Sequence, residues 1–164
     1  MLERLWAGWR GEYVATATGA TQDGEACVFC RILDSGEPDD RTHILWRDQR
    51  TFTILNAYPY TSGHLMVMPL RHVGELAELD DDESDELFRG VRRAAAAIEA
   101  AYRPEGMNIG LNLGKAGGAG VPGHLHVHVV PRWAGDTNFM TSVAETRVLP
   151  EALDATWKRL KEHV

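Results

Sequence analysis

Between Gly123 and Pro131 the chain reads Gly-His-Leu-His-Val-His-Val-Val-Pro, and no other segment restricts the possible folds as strongly. Successive side chains of a β-strand point to opposite faces. An extended chain here therefore sets His124, His126 and His128 in a row on one face and Leu125, Val127 and Val129 on the other. The pattern predicts a strand over residues 124–130 with its apolar face on a core. Neighbouring histidines stand ~6.6 Å apart along such a strand, and three imidazoles cannot all be satisfied cheaply in a dry interior. The row is thus read as a working surface. Alternate side chains on one strand run roughly parallel, so these three alone do not converge on a single metal ion. Nucleophilic catalysis suits them better: a neutral imidazole attacks phosphorus while a neighbour fixes its tautomer or handles its proton. His126 has a histidine on either side.

The other elements arrange themselves around this strand. His43–Trp46 and Thr51–Leu55 read as a hairpin about the polar turn Arg47–Arg50, and His64–Pro69 is a continuous apolar run that should form a central strand. Acidic residues crowd Asp80–Glu86, as the first turn of a helix favours, and Leu87, Val91, Ala94, Ala95, Ile98 and Tyr102 recur at helical spacing up to Pro104. Met107–Leu113 is a further strand, joined to the histidine strand by the glycine-rich Gly114–Gly123. Pro150 opens a last helix, with Leu153, Trp157 and Leu160 on one face. The class is α+β, a mainly antiparallel sheet with a long helix and a C-terminal helix packed on it. A chain of 164 residues makes one globular domain. Within it we distinguish an N-terminal arm, residues 1–30, holding a short helix around Trp6, Trp9 and Tyr13, and a main body, residues 31–164.

Charge and hydropathy narrow the partners. With 17 Lys+Arg against 24 Asp+Glu the net charge is −7, so no global positive field draws the chain to nucleic acid or anionic lipid. Any phosphate must be held locally. No stretch has the length of a membrane span and the start lacks the apolar core of a signal peptide, so the expected location is the cytoplasm. In that reducing compartment Cys27-Val-Phe-Cys30 suggests a metal site or a redox pair, with two buried, inert cysteines as the plainer alternative. The polar, turn-like Thr21–Glu25 before the motif is not the strand that a thioredoxin-type site needs. The run Gly114-Lys-Ala-Gly-Gly-Ala-Gly120 either brings backbone N–H groups to phosphate, Gly118 and Gly120 among them, or is only a flexible connection.

The His-φ-His-φ-His-φ-φ pattern, the upstream GHLMVMPLRH and the intervening helix resemble the histidine triad family of nucleotide hydrolases and transferases. LWAGWRGEYV, CVFC, LNAYPYTSGHLMVMPLRH, NIGLNLG and GHLHVHVVPRWAGDTNFM resemble its bacterial diadenosine tetraphosphate phosphorylase (ATP adenylyltransferase) subgroup. The resemblance implies a histidine-triad-like fold with its sheet joined across a homodimer, or a tetramer of two such dimers. It also implies a purine nucleotide or dinucleoside polyphosphate substrate and inorganic phosphate as acceptor. His126 would attack the α-phosphate and His128 would support it. Asn56 would contact ribose, and His64 of the GH motif, Asn112 and Trp133 would line the substrate cleft. In zinc-containing relatives CxxC is joined by two histidines, which here implies a structural Zn²⁺ on Cys27, Cys30, His72 and His124, with His43 as the spare histidine and no organic cofactor. Many family hydrolases carry Gly-Gln-Ser/Thr before the first histidine, where this chain has Ala119-Gly-Val-Pro122. That departure favours phosphorolysis to ADP and ATP over simple hydrolysis or phosphoramidate cleavage. A nucleotide-binding module with little turnover is the alternative outside enzymes.

Overall fold

The computed structural model describes residues 27–137 and 151–164. The arm helix expected around Trp6, Trp9 and Tyr13 and the helix start expected at Pro150 lie outside these residues. Helix α1 spans Val28–Asp34 and runs across residue 30. A short α2, Asp39–Thr42, leads to strands β1 (Ile44–Arg47), β2 (Thr51–Leu55) and β3 (Leu65–Pro69). The long helix α3 spans Asp81–Tyr102, followed by β4 (Gly106–Leu111), β5 (Val127–Arg132) and α4 (Leu153–Lys161). The strands form one antiparallel sheet in the order β1-β2-β3-β5-β4. The expected α+β class, the hairpin, and the central place of β3 are all borne out.

Alternation on β2, β3 and β5 divides the sheet into two faces, and each has its own core. Leu55, Leu65, Val67, Val127 and Val129 meet Leu87, Val91, Ala94 and Ile98 of α3 and Leu160 of α4. On the other face Phe52, Ile54, Met66 and Met68 meet Phe29 of α1. Every residue of β2 and β3 is buried, which is the signature of strands covered on both sides. A bulge between Ile44 and Trp46 sends Leu45 and Trp46 together into the helix-side core. Strands β1 and β4 are the two edges, and β4 is the mostly exposed one, with Ile109 at 51%.

Helix α3 starts where its acidic first turn indicated. Asp80 accepts the Glu83 N–H at 2.7 Å, and Glu83 accepts the Asp80 N–H at 3.1 Å, a reciprocal cap. Glu83 is buried and grips Arg71 through both carboxylate oxygens, at 2.9 and 2.7 Å. That pair pins the β3–α3 connection, and with it His72. The connection then lies against the approach to β5: Leu125 donates to the Val73 carbonyl at 2.7 Å, and a Cβ at Gly74 would come within 2.9 Å of the Pro122 carbonyl. Only glycine allows that approach.

The histidine strand is displaced from its expected limits. Paired β5 begins at Val127 and continues through Pro131 to Arg132; ahead of it the chain leaves the β3 ladder, and the Leu125 N–H bonds to the Val73 carbonyl beyond the end of β3. Likewise β4 ends at Leu111, and His43 precedes β1 in a left-handed conformation, φ 59°. No helix among the described residues is long and apolar enough to cross a membrane.

Candidate active site and metal centre

The face of the sheet opposite α3 carries the histidines. His128 on β5 lies between Met66 of β3 and Gly110 of β4 in the ladder, and the 126 and 128 rings are 5.0 Å apart. Among the described residues, a Cβ at Gly110, opposite His128, would meet nothing within 4 Å. Phe29 of α1 covers the other end, its ring 5.4 Å from His124 and 5.5 Å from His126. The row read from alternation therefore exists, even though its first two members precede the paired strand.

Two carbonyls decide what these imidazoles present. His126 Nδ1 lies 2.7 Å from the His124 carbonyl, which can only accept, so Nδ1 carries the proton and Nε2 keeps its lone pair. His124 Nε2 lies 2.9 Å from the Pro69 carbonyl, so its proton sits there and Nδ1 is left as a donor of electrons. Burial pushes both rings below the ordinary imidazole range, and burial followed by the neighbouring His126 pushes His128 to about 4. Burial thus favours the uncharged form of all three rings, and the His126 tautomer leaves a lone pair on Nε2.

His124 Nδ1 faces the cysteines. It is 3.4 Å from Cys27 Sγ and 3.7 Å from Cys30 Sγ, while His72 Nδ1 is 3.5 Å from Cys30 Sγ. The four ligand atoms lie within 4.8 Å of one another. Tetrahedral bonds of about 2.3 Å to sulfur and 2.0–2.1 Å to nitrogen require sulfur–nitrogen separations of ~3.6 Å, and the three distances bracket that value. These residues fit a metal ion. Burial, then the adjacent Cys27, raises the Cys30 thiol to about 11, so a thiolate here needs a cation beside it. His72 completes this cluster. His43 belongs elsewhere, its Nε2 2.8 Å from Asp154 at the start of α4.

Asn56 and His64 also come to the histidine face: the Asn56 amide nitrogen is 3.4 Å from His64 Nδ1, and His64 Nε2 is 3.0 Å from His128 Nδ1. Asn112 follows β4, and by alternation it continues the face of Gly110. Trp133 is not brought to the row; its ring packs edge-on to Tyr102 at 6.3 Å. The glycine-rich loop turns back on itself, with the Gly118 N–H bonded to the Lys115 carbonyl at 3.0 Å and the Ala119 N–H to Gly114 at 3.2 Å. The Gly118 amide is thus engaged within the loop, and Gly120 follows it, partly buried. Sequence reading missed Phe29, Gly110, the Pro69 carbonyl and Tyr60, whose ring lies 4.6 Å from His64 and 5.9 Å from His128. Only Phe29 had a signal, its place inside the CxxC.

A sheet with one long helix, a row of alternating histidines on its other face and a Cys/His cluster at the row's end defines a class that the comparisons make explicit. The HIT domain matches residues 37–135, and the chain belongs to the HIT, or histidine triad, family and is an enzyme of it. It is 40% identical over 163 residues to the AP-4-A phosphorylase of Mycobacterium tuberculosis, covering 97% of this chain and 83% of that protein. It is 34% identical over 95 residues to the asymmetrical bis(5'-nucleosyl)-tetraphosphatase of Schizosaccharomyces pombe, covering 58% of this chain and 52% of the relative. Among solved structures it resembles a Zn-bound histidine triad protein from Mycobacterium smegmatis, with a TM-score of 0.68 and 28% identity over 84% of this chain and 92% of that one.

Proposed function

We propose that the protein is a dinucleoside polyphosphate phosphorylase that cleaves diadenosine tetraphosphate with inorganic phosphate to ADP and ATP. One observation carries the reading: the His124 carbonyl holds the His126 proton on Nδ1 and leaves Nε2 free to attack. Attack on the α-phosphorus forms an N–P bond, breaks the bond to the bridging oxygen and releases ATP. A phosphate oxygen then attacks the same phosphorus, releases His126 and gives ADP. The 40% identity to a protein named AP-4-A phosphorylase supports this acceptor, as does Ala119-Gly-Val-Pro122 in place of side-chain donors. His128 faces the transferred phosphate from beside His126. Asn56 has a second amide proton for a ribose hydroxyl, and Asn112 and Gly120 flank the nucleotide. Trp133, partly exposed and edge-on to Tyr102, would line the base.

Cys27, Cys30, His72 and His124 would hold Zn²⁺, which supplies a fixed tetrahedral anchor and no open coordination position. The supporting observations are the sulfur–nitrogen distances and the His124 tautomer. The exposed edge β4 is the surface through which two sheets would join in a homodimer. The test of the reaction is product analysis with and without phosphate: ADP and ATP in equal amounts, only when phosphate is present, are expected. AMP and ATP irrespective of phosphate would instead assign the hydrolase activity for which the S. pombe relative is named. His126→Ala should remove turnover and keep the fold; normal activity in that variant refutes the covalent route.

A further inference from the structure

We propose that the groove between the β1–β2 turn and α3 binds a phosphate group, on the face of the sheet opposite the histidine row. The groove has a volume of about 470 Å³ and is lined by Arg47 and Asp48 at the turn and by Glu86, Arg89, Gly90 and Arg93 of α3. Three guanidiniums in one small groove of a chain with net charge −7 call for a reason. Arg89 and Arg93 stand one turn apart on α3, where like charges repel. Arg47 lies across from them at the end of β1.

The two acids of the groove do not balance these charges. Glu86 is spent on the sheet, its Oε1 accepting the Arg50 N–H at 2.6 Å and the Thr51 hydroxyl at 3.2 Å. Asp48 accepts from Arg93 Nη1 at 3.5 Å, and Arg47 pairs with Asp39 outside the groove. Arg89 has no acidic partner among the described residues. A guanidinium carries five N–H donors, so most donors of the groove are unspent. Arg93 is also held in place, its guanidinium 4.5 Å over the Trp46 ring, and a fork already held loses less freedom on binding.

The strands below are short of acceptors too. Trp46 and Thr53 stand opposite each other in the β1–β2 pairing, Trp46 in the helix-side core and Thr53 on the face of Leu55 by alternation. Both are buried, and among the described residues neither the Trp46 Nε1–H nor the Thr53 hydroxyl has a hydrogen-bond partner. Donors are thus in excess on both levels, which suits a ligand made of acceptors.

The class of ligand follows from the lining. Guanidinium forks match phosphate oxygens, and the volume is that of a small-molecule site. Gly90 apart, every lining residue is charged or polar, so a nucleobase or an apolar peptide side chain finds no seat. The site reads the phosphate group itself, carried as inorganic phosphate or as the free end of a nucleoside triphosphate. Because α3 covers the face away from the histidines, occupancy here does not compete with substrate there. Nothing in this depends on the reaction assigned above.

The test is an amide ¹H–¹⁵N titration of the full chain, its metal content held fixed, with inorganic phosphate in one arm and ATP in the other. Potassium chloride at matched ionic strength is the control, because exposed guanidiniums attract any anion and salt screens them. Saturable shifts at residues 47–49 and 86–93 are expected with phosphate or ATP and not with chloride. Saturation by phosphate alone identifies the free ion as ligand, saturation by ATP alone or at lower concentration identifies the nucleotide's end, and equal saturation shows that the carrier is immaterial. Arg89→Glu should weaken this binding by about 10–100-fold, the worth of a charge-assisted hydrogen bond, and leave the amides around His126 as they were. Arg89 is exposed, and unshifted amides elsewhere in the spectrum check that the variant folds. The absence of saturable shifts in the groove with either ligand, the same shifts with chloride, or undiminished binding in folded Arg89→Glu overturns the proposal.

Discussion

Gly90 sits in the middle of α3, buried against β3, and replacing it with alanine sets two opposed effects against each other. A helix interior favours alanine over glycine by about 1 kcal/mol. At this site the new Cβ would lie 2.8 Å from Val67 Cγ1. Val67 is fully buried and β-branched in a central strand, so its methyl cannot swing aside. Overpacking of that kind costs about 1–3 kcal/mol. Gly90→Ala should therefore lower stability by ~0–2 kcal/mol, where an exposed helical glycine would gain. Ala96→Gly, at an exposed position of the same helix, calibrates the propensity part and should cost ~1 kcal/mol. Val67→Ala alone should cost ~2–3 kcal/mol through two lost methyls and the cavity. Combined with Gly90→Ala it should cost ~1–2 kcal/mol less than the sum, because the new methyl enters the vacated space. Urea melts of the parent and the four variants at one fixed metal concentration give these differences. If Gly90→Ala stabilises by as much as Ala96→Gly destabilises, and the double mutant is additive, then the helix does not rest on Val67 and the account of this packing fails.

Three further outcomes follow from other parts of the molecule. Arg103 ends α3 in a left-handed conformation, φ 46°, so Arg103→Gly should stabilise the fold by about 0.5–1 kcal/mol in thermal melts; a loss of stability would show that the arginine side chain holds the turn. The Arg71 guanidinium, bonded to Glu83, lowers that carboxyl from 4.5 to about 2, so the pair's contribution is complete above pH 4.5 and disappears as pH falls from there toward 2. Glu83→Gln should therefore melt below the parent at neutral pH with a gap that closes on acidification, and a constant gap refutes the assignment. Cys27→Ser with Cys30→Ser should abolish the one zinc per chain expected by elemental analysis and lower the melting temperature as chelator does; metal-free unmutated protein would return these cysteines to the core.

How much was legible in the sequence follows the range of the interaction responsible. Alternation and helical spacing are properties of a few consecutive residues, and they gave the histidine row, the buried β3 and the capped α3 directly. Strand limits were less legible. The shift of β5 from 124–130 to 127–132 depends on a distant segment, in which Val73 takes the Leu125 N–H, and residues 124–130 do not encode that partner. The loop between β4 and β5 was open to two readings, and its internal hydrogen bonds settle only how it folds on itself.

The sequence by itself determined that three imidazoles share one face, that two cysteines lie close together, and that a helix of about twenty residues crosses the sheet, because period-2 and period-3.6 patterning and short covalent spacing are local. The resemblance added His72 as a ligand, with His43 kept as the spare. Tertiary structure decided between them: Arg71 gripping buried Glu83 carries His72 to the cysteines, while His43 is taken by Asp154, 111 residues away. It also decided the tautomers of His124 and His126. The groups that do so, the Pro69 and His124 carbonyls, are backbone atoms that every residue possesses. No residue type marks them in a sequence; only the fold brings them to the nitrogens they control.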